Sequence, residues 1–375
     1  MIAASDFRLE EFFSRWEFTV RYHLAASDAE TFSLPDLLAL ASPDERKEWD
    51  EQRFGYIESR GTLKLREAIA ATYEHVSPDD VIVFAGAEEG LYCAFHALLE
   101  SGDHAIVLTP NYQSAESVPL SICDVSGVWL RPENGWKLDL DDLRNAIRPN
   151  TRVIAVNFPN NPTGYILGND DFRQLAQLCE ERGIALFSDE VHRGLERDAK
   201  KRLPQAADVS PQALSLNVVS KAYGLPGLRV GWIACRRRAV LDRLEQAKFY
   251  LSICNAVPSE ILARIALKNA DALLDRNRTL TAQNLKKLDA FFSRYADRFD
   301  WYEPDGSCVA FPRYLGPEGA DAFCAQLVED SGVLLVPGSI FRSKLADVPE
   351  DRFRIGYGRD GIDEALAAFE SHLAR

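Results

Sequence analysis

Apolar residues recur along this chain in two periods. Short, nearly continuous apolar runs occupy 81–85, 105–109, 125–130, 153–157, 184–188, 214–219 and 230–235. Their length and lack of alternation are those of strands buried on both faces of a parallel sheet. Between them the spacing changes to that of helices, as at 63–76, 91–99 and 170–182, where Phe172, Leu175, Ala176 and Leu178 fall on one side. Such alternation predicts an α/β fold, a mostly parallel seven-stranded sheet flanked by helices. From about Pro258 the helical stretches lengthen, with 272–295 the longest. Strands near 307–313, 333–336 and 353–356 then predict a smaller α/β C-terminal domain. No internal repeat, low-complexity tract or Pro/Gly/Ser linker interrupts the pattern.

One lysine stands out against this background. Lys221 lies in Val219-Ser220-Lys221-Ala222-Tyr223-Gly224, at the end of a strand-like run and eight residues before Arg229. A lysine in apolar surroundings is costly to bury as an ammonium. It either lays its stem over the surface or is kept partly desolvated as a neutral nucleophile, as a Schiff-base lysine must be.

Three ordered motifs favour the second alternative. Ser220-Lys221 with Gly227-Leu228-Arg229-Val230-Gly231-Trp232 resembles the cofactor-lysine segment of fold type I pyridoxal-phosphate enzymes, the class I/II aminotransferase family. Asn160-Asn161-Pro162-Thr163-Gly164 is similar to that family's Asn-Pro-Thr-Gly turn. Asp189-Glu190-Val191-His192 is similar to its Asp-Glu-Val-Tyr strand end, with histidine in place of tyrosine. The resemblance implies three regions: an N-terminal arm (1–45) that joins the small domain and caps the active site, a large cofactor-binding domain (46–270) and a small domain (271–375).

Pyridoxal 5'-phosphate presents an aldehyde, a pyridine nitrogen, a phenolic oxygen and a phosphate, and each requires a partner. Lys221 answers the aldehyde. Asp189 follows a buried strand, at the end where open α/β sheets bind ligands, and its carboxylate can hold the pyridine nitrogen protonated. Asn161 would donate to the phenolic oxygen, and so would His192 with a different pH response. For the phosphate there are the Arg229 guanidinium, the Ser220 hydroxyl and the amides of Ala87 and Glu88, where a strand turns into a helix. The family often has a further Ser or Thr where Val218 stands, so one phosphate contact is absent or replaced. The resemblance further implies that Tyr112 stacks on the ring and that Tyr56 reaches the phosphate of a second subunit. It implies that Arg354 clamps a substrate carboxylate, with Arg352 on the same strand face as its competitor. By position Ser27 to Thr31 matches the capping segment, so Asp28 or Glu30 is expected to face the substrate side chain and favour basic or neutral amino acids.

Composition narrows the remaining choices. The 375 residues suit two domains, and a net charge of −14 with no basic stripe argues against nucleic-acid binding. Seven scattered cysteines make no disulfide framework, and no Cys-x-x-Cys or His-Glu-x-x-His pattern suggests a metal. No stretch reads as a signal peptide or membrane span, so a cytoplasmic protein is expected. Asp189-Glu190-Val191-His192 also spells a helicase-like box, but the phosphate loop it requires is missing. A non-catalytic binding protein on the same fold is disfavoured by Lys221, Asp189, Asn161, Arg229 and Arg354 occurring together. The expected activity is transfer of the amino group of an L-amino acid to a 2-oxo acid by a homodimer with shared sites. The alternative is a carbon–sulfur β-lyase, a branch that His192 resembles.

Overall fold

The computed structural model describes residues 6–374. Its central sheet has seven strands: β1 (Val81–Phe84), β2 (His104–Thr109), β3 (Asp124–Trp129), β4 (Thr151–Asn157), β5 (Ala185–Asp189), β6 (Leu214–Val218) and β7 (Gly231–Cys235). They lie in the order β1-β7-β6-β5-β4-β2-β3. β7 runs antiparallel to both neighbours and every other pairing is parallel. Successive residues of one strand enter different cores. Val153 and Ala155 pack with Phe95 and Phe187, whereas Ile154 and Val156 pack with Phe172 and Leu175. Both faces are therefore dry, which is why the strands read as unbroken apolar runs.

The expected helix over 63–76 ends at Ala70. There the Thr72 hydroxyl bonds the Ile69 carbonyl, and the next amides, Glu74 and His75, turn to the Asp208 carboxylate. Local side-chain bonds thus replace the last turns of the helix. A helix over Asn169–Arg182 closes on Gly183 at φ 65°, a left-handed cap that suits glycine.

Beyond the long helix Ala270–Arg294, three short strands form an antiparallel sheet: β8 (Val309–Ala310), β9 (Val336–Pro337) and β10 (Phe353–Gly356), with β10 in the middle. Phe292, Phe299, Phe323, Phe353 and Phe369 build its core. Tyr22–His23 pairs in parallel with Val333–Leu334, so the N-terminal segment is woven into this C-terminal region. Ahead of that pairing runs α1 (Arg8–Trp16), an element the sequence reading did not anticipate. Its Arg8 side chain donates to the carbonyls of Ile340 (3.3 Å) and Arg342 (2.6 Å), while the Arg8 amide meets Gln113 Oε1 at 3.0 Å. The helix is thereby tied to both halves of the molecule. No helix among the described residues is long and apolar enough to cross a membrane.

Candidate active site

The carboxyl ends of β4, β5 and β6 converge on one cavity of about 650 Å³. Asp189 closes β5. Its side chain accepts from the Val191 amide (3.1 Å) and its carbonyl from Asn157 Nδ2 (3.1 Å). Asn157 also accepts from the Asn161 amide at 2.8 Å, which anchors the Asn161 turn beside Asp189. Lys221 follows β6 by three residues, and its Nζ donates to Ser27 Oγ at 2.9 Å. The chain reverses just beyond, at Gly224 (φ 68°), where an added Cβ would lie 2.3 Å from the Glu30 carbonyl oxygen. Only glycine permits that approach, and through it the N-terminal segment is pressed against the lysine loop.

Burial sets the charges here. It lowers the Lys221 amine below its ordinary value, with nearby Asp28 opposing the shift. It pushes the Asp189 carboxyl up to about 6, against the Val191 amide and Lys221. It holds His192 well below the ordinary imidazole range, aided by the charges of Lys221 and Arg354, so the ring is neutral at pH 7. His192 Nδ1 and Ser220 Oγ are both buried without a hydrogen-bond partner.

At one end of the cavity α2 (Ala87–Leu98) begins with no side-chain cap, and Gly86 takes φ 96°. The Arg229 guanidinium lies over Gly86 so closely that a Cβ there would fall 2.4 Å from Nη2. Gly231 leaves similar room, a Cβ on it lying 2.8 Å from the Ala87 nitrogen. A cation and uncapped helix amides therefore share one corner, the arrangement an anion needs. The Glu88 side chain also lines the cavity. It accepts from Ser114 Oγ at 2.9 Å, and burial pushes its carboxyl up to about 7.

Arg354, on β10, is fully buried and does not itself line the cavity, which it reaches only through Asn161. It donates to Asn161 Oδ1 (3.1 Å) and the Ala25 carbonyl (2.8 Å), and its Nε has no partner. Arg352 goes elsewhere: it donates to the Phe311 carbonyl and lies over Trp136, away from the cavity. Tyr112 forms part of the wall, its hydroxyl donating to Glu10 Oε1 at 3.0 Å.

The capping segment is arranged differently from the expectation. Asp28 lines the cavity, but Arg359 Nη2 donates to both of its oxygens at 2.9 and 2.8 Å. Glu30 does not line it. Its carboxylate accepts from the amides of Thr31 and Asp360, which pull it toward the C-terminal region. Lining residues that the sequence reading missed include Glu10, Phe13 and Glu17 from α1 and its end, with His23 and Arg359, while Ser27 of the expected capping segment does line the cavity. Tyr56 is not brought to the cavity: it is 90% exposed in an irregular segment. A second cavity of about 610 Å³ lies across α1, between Arg8, Glu116 and Lys344, and holds none of these catalytic groups. No cluster of metal-ligating side chains occurs among the described residues.

Comparison with known proteins agrees with this geometry. The family described as aminotransferase class I and II matches residues 25–369. Capreomycidine synthase of Streptomyces vinaceus is 31% identical over 97% of this chain and 93% of its own. A probable N-acetyl-LL-diaminopimelate aminotransferase of Bacillus subtilis is 28% identical over 79% and 76%. The crystal structure of a PLP-dependent aminotransferase from Streptococcus suis superposes with a TM-score of 0.92 at 29% identity, covering 99% of this chain and 98% of that one. The chain belongs to the class I and II aminotransferase family and has the fold of its pyridoxal-phosphate-dependent members.

Proposed function

We propose that the chain is a pyridoxal-phosphate-dependent aminotransferase that moves the amino group of an L-amino acid to a 2-oxo acid, with Lys221 as the amine that binds the cofactor aldehyde. The observation that carries this reading is the meeting of Lys221, Asp189, Asn161, His192 and Tyr112 at one cavity beside an anion corner. The residues fit the cofactor. His192 Nδ1 and Ser220 Oγ are buried with unmet hydrogen-bonding capacity, and Gly86 keeps the space under Arg229 clear. Arg229, Ser220 and the Ala87 and Glu88 amides would hold the phosphate, Asp189 the ring nitrogen, Asn161 and His192 the phenolic oxygen, and Tyr112 the ring face. When bound, the cofactor supplies a carbonyl carbon for the incoming amine and a ring that withdraws electrons from the substrate Cα.

The protein's own groups account for the rest. Arg354 orients the α-carboxylate with a fork-shaped donor set held from behind by the Ala25 carbonyl. Burial lowers the basicity of the Lys221 amine, which favours the neutral form that can take the proton from the substrate Cα. Asp189, ionised above about pH 6, stabilises a positive ring nitrogen that would otherwise lie in a dry site. We read the chain as half of a homodimer. Phe54, Tyr56 and Tyr250 are each more than four-fifths exposed, which is costly for an isolated subunit and natural for an interface. Mixing inactive Tyr56→Ala and Lys221→Ala proteins should restore activity through hybrids that hold one intact site. Hybrids that form and stay inactive would refute the shared site.

One observation favours a second reading, loss of a β-substituent in place of amino transfer. A neutral, buried His192 stands where the family motif has tyrosine, as in the carbon–sulfur β-lyase branch that it resembles. Incubating the holoenzyme with single amino acids, without oxo acid, separates the two. Transfer gives one equivalent of pyridoxamine form and stops. Elimination on a cysteine-type substrate continues, releasing pyruvate and thiol.

A further inference from the structure

The cavity contains more negative charge than the proposed chemistry uses. In that reading, on which this inference rests, Asp189 serves the ring nitrogen and Lys221 the aldehyde, while Arg229 and Arg354 serve phosphate and carboxylate. Asp28 and Arg359 neutralise each other at 2.8 Å. Glu10, Glu17 and Glu88 remain. Glu88 lies on the side of the anion corner, is bonded to Ser114 and is held partly protonated near neutral pH. Glu10 and Glu17 are different. Both come from the lid formed by α1 and the residue that ends it, and each faces the cavity about two turns from the other.

Neither of these two carboxylates has a cationic partner among the described residues. Glu10 accepts only from the Tyr112 hydroxyl. The nearest basic group to Glu17 is His23 Nε2 at 3.7 Å, and burial lowers that imidazole to about 4, so it is neutral at pH 7. His23 Nε2 is itself buried without a partner. Phe13 lines the wall between the two acids, and Phe18 exposes its ring at the rim. Aromatic faces beside unpaired carboxylates make a good seat for a cation and its aliphatic stem. The His23 imidazole lines the same cavity and is assigned to no part of the cofactor, so this end of the space has unmet polar capacity of its own.

We propose that Glu10 and Glu17 form the side-chain subsite and select an amino acid whose side chain ends in a cation, a guanidinium or a primary ammonium. The subsite excludes acidic amino acids, because a third carboxylate would meet two others and the Arg359 charge is already taken by Asp28. This places the selection on α1, not on the Asp28–Glu30 segment. A guanidinium has the donors to reach two carboxylates at once, so arginine-like side chains gain most.

The test is equilibrium titration of the holoenzyme with arginine, citrulline, lysine, norleucine and glutamate. It reads the cofactor's visible absorbance and, in parallel, the heat of binding. Citrulline keeps the shape of arginine without its charge. Arginine should bind about tenfold or more tighter than citrulline, and lysine similarly tighter than norleucine. Glu10→Gln and Glu17→Gln should each lower the arginine-to-citrulline ratio, and the double variant should bring it close to one. Glutamine keeps an acceptor for the Tyr112 hydroxyl, so the lid geometry is retained. A wild-type ratio near one overturns the proposal without reference to any variant. So does tight binding of glutamate, or a ratio that survives the double substitution. If no amino acid perturbs a bound cofactor, or none binds, the underlying enzymatic reading falls and the subsite with it.

Discussion

The strand-end half of the site and the lid half are built on different principles. Asp189, Asn157 and Lys221 sit at or just past the ends of fully buried strands, and the partners of Asp189 and Asn157 are close in sequence or in sheet register. Of the lid residues, Glu10 and Phe13 sit on a nine-residue helix that Glu17 ends, held by a few hydrogen bonds to distant loops. A catalytic group must be fixed to within a fraction of an ångström, which a two-sided sheet provides. The proposed selection of substrate falls instead to a short amphipathic helix on the cavity wall. The difference teaches that chemistry and choice of substrate are separable here. Changes in the sheet half should strike turnover, and changes in the lid should strike affinity.

Lys221→Ala is the severest probe of this contrast. It should cut turnover by roughly a thousandfold or more and abolish the borohydride-fixable link to the cofactor. A variant that still fixes cofactor by that chemistry would move the role to another lysine. Arg354→Lys comes next. The shorter, single-point cation cannot span the Asn161 and Ala25 contacts as well as a substrate carboxylate, so KM should rise about tenfold or more. A fall in turnover alone, with KM unchanged, would show that Arg354 supports the strand ends and does not bind carboxylate.

A third probe uses pH. The Asp189 carboxyl is raised to about 6 in the folded apoprotein, so the folded form holds a proton that the unfolded chain has already released. The resulting stabilisation is complete below about pH 4 and is lost as pH rises through 6. Allowing for exposure to the cavity, the loss should be ~1–2 kcal/mol. Asp189→Asn should flatten this part of the apoprotein's thermal-stability profile. Cofactor binding should do the same in the wild type, by giving the carboxylate a cation. An unchanged profile in both cases would mean that the acid is not isolated from water. The mildest probe is Tyr112→Phe, which removes the bond to Glu10 and frees the lid on one side. KM for the preferred amino acid should rise about two- to fivefold with turnover little altered. A larger loss in turnover than in affinity would erase the proposed division.

Legibility in the sequence followed the same divide. Six of the seven central strands begin and end within one residue of the spans expected from their apolar runs, and the seventh, β4, starts two residues early. Dry faces on both sides leave a continuous signal. Lys221, Asp189, Asn161 and His192 were recognisable because the motifs that carry them resemble those of the family, each motif lying next to such a strand. In the small domain Phe353–Gly356 lies where it was expected, whereas the spans 307–313 and 333–336 were placed only roughly, since two-residue pairings such as Val309–Ala310 carry almost no periodic signal. The lid was missed because Arg8 to Trp16 interleaves charges with Leu9, Phe12, Phe13 and Trp16, and its helical spacing is overlooked when the segment is read only for charge. The fate of Asp28 was not legible. Its partner, Arg359, is 331 residues away, and nothing local announces the pair. Glu30 was misplaced for the same reason, its carboxylate being held by the distant Asp360 amide.

The pairing of Tyr22–His23 with Val333–Leu334 has a practical consequence for anyone handling this protein. It pins the segment after α1, so whatever is fused ahead of Asp6 or trimmed from that end is felt within one helix length of the substrate-binding wall. An affinity handle is usually placed at whichever terminus is convenient. Here a leading handle would precede α1, which lines the cavity, whereas a trailing one would follow the helix Ile362–Leu373, which lines no part of it. Kinetic comparisons between preparations that differ only in their leading residues would then report on the handle as much as on the enzyme.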